Sequence, residues 1–168
     1  CTGTQVALQE SELCDGPVRQ RIVKNAGGIF MKISLTDRSL YYKGLMLLIR
    51  KDREICDEER KMMMHIVETL GFESRFCKDT IEEIMDNKCV NDSPPLFSEP
   101  RIALSFIRDG LRLSVSDGQT HKAELDWLEA VAENNGLSSL WAEEFERFSL
   151  SQCNEILEED LELNSFEW

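Results

Sequence analysis

An all-α fold follows from three observations on the sequence. Apolar residues recur at helical spacing along most of the chain, and the two-residue alternation of a half-buried strand is almost absent. A twenty-nine-residue segment also recurs, without a gap, 65 residues further on. Together these predict a compact helical bundle of about seven helices, built from two pseudo-repeats over about 35–90 and 99–150. Residues 1–30 are expected to form a leader with one short helix, 31–150 the domain, and 151–168 an acidic tail.

The elements read in order. Asp15-Gly16-Pro17 opens a helix with Pro at its first position, where the missing N–H costs nothing. Val18, Ile22 and Ala26 continue it until Gly27-Gly28. A second helix is predicted from Leu35 to about Lys51, with Leu40, Gly44, Leu45 and Leu48 on one face. A third runs from about Asp57 to Leu70 on a stripe of Met62, Met63, Ile66, Val67 and Leu70, from which Met64 is offset towards solvent. A short helix covers about Cys77 to Asn87. Asn91-Asp92-Ser93-Pro94-Pro95 is the clearest break in the chain. Beyond it, about Glu99 to Val115, Lys122 to Asn135 and Ser138 to Phe148 read as helices. The last segment sets Glu155, Glu158, Glu159, Asp160 and Glu162 among Ile156, Leu157, Leu161 and Leu163. It reads as a frayed or docked helix, or as a segment gripped by a basic partner.

The repeat sets Met46–Ser74 beside Leu111–Ser139. Six pairs are identical: Leu48/Leu113, Asp52/Asp117, Glu59/Glu124, Glu68/Glu133, Gly71/Gly136 and Ser74/Ser139. Met46/Leu111, Met62/Trp127, Met63/Leu128, Ile66/Val131 and Phe72/Leu137 match in character. Each copy reads as a helix, a turn opening on Asp, a helix with Glu near its start, then Gly and an apolar residue.

Two readings of the repeated carboxylates stay open. In the first they are structural. Glu59 and Glu124 stand at the third helical position if Cys56 and His121 are caps, so they reach back to helix-start N–H groups. Asp52 and Asp117 then bond turn amides. In the second, a turn Asp and a helix-start Glu converge on a hard cation such as calcium or magnesium. Asp52, Glu59, Asp117, His121 and Glu124 are the candidate ligands. The spacing is not that of an EF-hand, because the twelfth residue from either Asp is Met63 or Leu128.

Composition narrows the partners. Thirty-two acidic against nineteen basic side chains give a net charge of -13, which argues against nucleic acid and points to cations or a protein with a basic surface. Residues 1–30 are neutral, so the excess lies in 31–168. No uncharged stretch exceeds nine residues, so no span of a bilayer is expected. The six cysteines form no C-x-x-C and read as reduced thiols of a cytoplasmic protein. The opening Cys1-Thr2-Gly3 would also suit a lipidated start; a trimmed start is the expectation.

Asp52-Arg53-Glu54-Ile55-Cys56-Asp57-Glu58-Glu59 and Asp117-Gly118-Gln119-Thr120-His121-Lys122-Ala123-Glu124 resemble the signature of TerB-like domains, named from bacterial tellurite resistance. Leu70-Gly71-Phe72 and Asn135-Gly136-Leu137 resemble its closing element. The resemblance covers about 35–150 and would place the start of the family-like portion at Met31. It implies a duplicated all-helical unit, acidic positions suspected of holding divalent metal, and a supporting role in stress-response assemblies. Arg53 departs from the Gly of the turn and Cys56 from the usual Ser or Thr cap, which makes the second copy the better candidate site.

Catalytic signatures are scarce. Gly27-Gly28 lacks the G-K-[ST] of a phosphate loop, G-x-S-x-G and His-Pro-Asp do not occur, and neither His65 nor His121 has the context of a dyad. The expectation is a non-catalytic acidic interaction domain. The alternative is a metal-dependent hydrolase with an open site at Asp117, His121 and Glu124.

Overall fold

The computed structural model describes residues 32–51, 55–73, 91–116, 120–151 and 161–166. Five α-helices lie among them: α1 (Leu35–Ile49), α2 (Asp57–Thr69), α3 (Pro100–Leu113), α4 (Lys122–Asn134) and α5 (Ser138–Ser151). A 3-10 turn, Glu162–Ser165, follows, and no β-strand occurs among the described residues. The all-α expectation holds, and all five helices fall within a few residues of their predicted bounds. The expected helices at Val18–Ala26 and Cys77–Asn87 lie outside the described residues.

Local chemistry sets the helix ends. Ser34 caps α1, its Oγ accepting from Asp37 N at 3.0 Å. Pro100 opens α3 at its first position. Gly71 and Gly136 close α2 and α4 at φ 75° and 70°, a left-handed conformation that glycine adopts without a Cβ clash. At each, two hydrogen bonds tie off the helix. Gly71 N and Phe72 N donate to Glu68 O and Val67 O (3.0 and 3.0 Å). Gly136 N and Leu137 N donate to Glu133 O and Ala132 O (3.1 and 2.8 Å), completing the six-to-one and five-to-two pattern of a Schellman motif.

α1 departs from its predicted single face. From Tyr41 to Ile49 every residue except Lys43 is buried, while Leu40 is only half-buried. The cause is in the sequence: Leu45–Ile49 is apolar all round, which suits a helix enclosed by its neighbours, and α1 packs against α2, α3 and α4. Met64, expected towards solvent, is half-buried against the core edge. The stripe of α2 is buried throughout, as expected.

Aromatic rings fill the centre. Phe106 lies edge-on to Tyr41 at 5.1 Å between centroids and also meets Phe97 (5.2 Å) and Trp127 (6.1 Å). The proline-rich break at 91–97 is irregular but firmly held. Asn135 accepts from Phe97 N (2.9 Å) and donates to Pro95 O (2.8 Å), and Asn134 donates to Pro94 O (3.1 Å). At its far end the buried Asp37 carboxylate accepts from Ser98 N (2.9 Å) and Ser98 Oγ (2.7 Å), pinning the start of α1 beside the start of α3.

Glycine also permits a close helix approach. A Cβ on Gly44 of α1 would sit 2.7 and 2.8 Å from Cε2 and Cζ of Phe106, a fully buried ring. Gly44→Ala should therefore destabilise the fold by about 1–3 kcal/mol, the cost of overpacking, despite the ~1 kcal/mol helix-propensity advantage of Ala. Urea unfolding measures it, and an unchanged or higher midpoint would show that the ring yields freely.

Candidate functional site

The repeated glutamates Glu59 and Glu124 sit at the starts of α2 and α4, and both are buried: Glu59 is 4% exposed and Glu124 1%. At α2 the cap reading holds. Cys56 Sγ accepts from Glu59 N at 3.3 Å, and Glu59 Oε2 accepts from Cys56 N at 2.9 Å, a reciprocal capping box. Burial pushes the Cys56 thiol up from its ordinary range, so it caps as a neutral group. At α4 His121 occupies the cap position, but its imidazole does not serve as the cap acceptor. The copies thus share helix bounds and buried Glu but differ in how the first turn is tied.

Asp52 and Asp117, the other half of the predicted cation site, lie outside the described residues. Among the described residues, no three His, Cys, Asp or Glu side chains are grouped to hold a metal ion. Glu59, His121 and Glu124 are therefore placed individually, each at a helix start.

The most elaborate polar site is one the sequence reading missed. Asp109 of α3 is fully buried and accepts four hydrogen bonds. Tyr41 Oη of α1 donates to its Oδ2 at 2.7 Å, and Arg112 Nη1, one helical turn on, donates to its Oδ1 at 3.1 Å. Glu162 N and Leu163 N, at the start of the 3-10 turn, donate at 2.6 and 3.0 Å. The carboxylate thus caps a turn 53 residues away in sequence. Burial dominates its titration and pushes the Asp109 carboxyl up to about 6, against the pull of these donors. The same burial and the neighbouring Asp109 charge raise the Tyr41 phenol well above its ordinary value, keeping it a donor.

An ion-pair network extends from this point. Arg108 grips Glu144 of α5 with two bonds of 2.8 Å and lies 3.6 Å from Glu162. Arg112 lies 3.5 Å from Glu162, and Arg147 donates to Glu144 at 2.8 Å. Arg108 holds the Glu144 carboxyl below its ordinary range. Residues 161–166 of the acidic tail are thereby docked on the helices, with Leu161, Leu163 and Phe166 buried.

A sequence signal for Asp109 did exist. Ile102, Phe106, Asp109 and Leu113 follow at helical spacing, which puts a carboxylate on the apolar stripe of α3. What the stripe does not reveal is the donor set, which comes from two remote segments.

The arrangement defines a helical domain with a buried carboxylate cross-link and helix-start acids. Comparison with family models, with curated proteins and with solved structures gives no match.

Two outcomes follow. Glu59→Ala should cost about 1 kcal/mol, the worth of a helix cap, while Cys56→Ser should cost less because a hydroxyl accepts the same bond; thermal unfolding distinguishes them. The second concerns pH. Because its folded pKa is raised, Asp109 contributes stability that is fully present below about 3.8 and lost as pH rises through about 6. Asp37 and Glu144, whose pKa values are lowered, act in the opposite sense and only in more acidic solution. Between about pH 4 and pH 7, Asp109→Asn should therefore gain stability relative to the native chain. A constant difference across that window, measured by urea unfolding, would contradict the assignment.

Proposed function

We propose that this chain is a non-catalytic acidic interaction domain of the TerB-like kind, cytoplasmic, that docks a protein with a basic surface in a tellurite or stress response. The observation that carries the reading is how the charges are distributed. Arg108 and Arg112 of α3 are engaged with Asp109, Glu144 and Glu162. Asp126, Glu129 and Glu133 of α4 and Glu143 and Glu146 of α5 are left exposed. The bases on those two helices are Lys122, 2.7 Å from Asp126, and Arg147, bound to Glu144. The outer face of the α4–α5 hairpin is thus a negative field suited to steering a cationic partner.

A duplicated helical unit belongs to the same proposal. In its support, α1 and α3 begin 65 residues apart, and α2 and α4 both begin and end 65 apart. The glycine closures coincide in φ and hydrogen bonding. Tyr41 and Phe106, also 65 apart, are in edge-to-face contact, as residues near a pseudo-twofold axis are. Within this reading a divalent cation, calcium or magnesium, is held by Asp117, His121 and Glu124 of the second unit, where no capping box is formed.

Two measurements test the proposal. A fluorescent oligo-lysine peptide should bind the native chain with salt-sensitive affinity and lose most of it in Glu129→Lys/Glu133→Lys/Glu143→Lys; equal binding by that folded variant would reject the acidic face. Calorimetry with calcium, magnesium and manganese should show binding that Asp117→Ala/Glu124→Ala removes. No binding below about millimolar, the weak end of ordinary calcium modules, rejects the cation.

A further inference from the structure

The C-terminal segment is held the way a bound peptide is held. Its three apolar side chains are inserted: Leu161 is 3% exposed, Leu163 0% and Phe166 5%. Its own cap residue, Leu161, supplies no side-chain acceptor to the turn. The acceptor is Asp109, whose carboxylate takes the Glu162 and Leu163 N–H groups. Arg108 and Arg112 flank the Glu162 carboxylate at 3.6 and 3.5 Å, and the Arg101 guanidinium lies 5.9 Å from the Phe166 ring centroid. Tyr41 holds the other side of Asp109, and α2 and α3 both pack against the turn. Each of these recognition elements comes from α1, α2 or α3. What is recognised is Leu-Glu-Leu followed three residues later by Phe.

We propose that the groove formed by α1, α2 and α3 is a peptide-docking site for Leu161–Phe166, filled in cis here and able to take the same segment from a second copy of this chain. The inference does not rest on the acidic-face reading, which concerns other helices. A full carboxylate sits buried at the floor of the groove because it must satisfy two backbone N–H groups at once, the device by which anions hold helix starts. Apolar insertion alone would tolerate sliding along the groove. The Asp109 bonds and the arginine pair fix one register. Ten residue steps separate Ser151 from Leu161, enough chain to span at most about 36 Å. Exchange between copies by this route is a low-cost path to a swapped dimer.

The test uses the full-length chain. Leu163→Asp/Phe166→Asp spoils the tail and leaves the groove residues intact. A fluorescein-labelled peptide of residues 158–168 stands in for the segment of a second copy. It should bind this variant saturably, a scrambled peptide should not, and adding Asp109→Asn should weaken binding about tenfold to a hundredfold, the worth of a charge-assisted hydrogen bond. Failure of the peptide to bind the folded variant, or equal binding with Asp109→Asn, overturns the proposal. Should the variant not fold, hydrogen exchange of the native chain decides. The Glu162 and Leu163 amides should exchange faster than that of Phe106 in α3, by local opening of the segment. A common rate would mean that the segment leaves only with global unfolding, and the groove is then ordinary core.

Discussion

Asp109 is the point on which the other arrangements depend. An ionised carboxylate removed from water costs several kcal/mol unless its oxygens are met by donors. Four donors meet this one: a phenol from α1, a guanidinium from its own helix and two amides from the C-terminal turn. Satisfying it therefore fixes three separate stretches of chain at once. The effect propagates further, because Arg112 also faces Glu162, Glu162 faces Arg108, and Arg108 holds Glu144 on α5. Apolar packing among Leu, Met and Phe side chains would accept several nearby arrangements. A buried carboxylate with directional partners accepts far fewer, so the cross-link selects one arrangement from those that packing would allow.

Residue by residue, what the sequence revealed depends on how far away the partner lies. Helix ends were readable because their determinants act over three to five residues. Ser34, Pro100, Gly71 and Gly136 each do what a cap or a closing residue does locally, and the Cys56–Glu59 box was legible from spacing alone. The enclosure of α1 was less so, since Leu40, Gly44, Leu45 and Leu48 do form a face, and only the neighbouring helices show that the opposite face is covered too. Asp37 and Asp109 escaped notice for the same reason. Their partners stand 61 and 53 to 68 residues away, and no local pattern encodes that distance. The position of Asp109 on an apolar stripe marked it as unusual without showing what it bonds.

Candidate sites suffered a related confusion. A carboxylate at the third position of a helix is equally well suited to capping and to ligating, because both uses need the same charge at the same place. At Glu59 the capping use is realised, with one oxygen accepting from Cys56 N. At Glu124 the cap residue is a histidine whose side chain makes no cap hydrogen bond, so the two helix starts differ in chemistry although both helices run 13 residues.

The acidic excess, finally, is not one property but three. Some carboxylates are spent locally on helix starts, as at Glu59. Others are buried against arginine, hydroxyl or backbone donors, as at Glu144, Asp109 and Asp37. These first two groups hold the fold together. The third group, on α4 and α5, is exposed with few cations beside it. Arg108 and Arg112 enter the network together with Asp109, Glu144 and Glu162, so the network leaves the total charge outside almost unchanged. What distinguishes the outer hairpin is where its exposed acids stand rather than the total of -13, because a local cluster of one sign sets the local field.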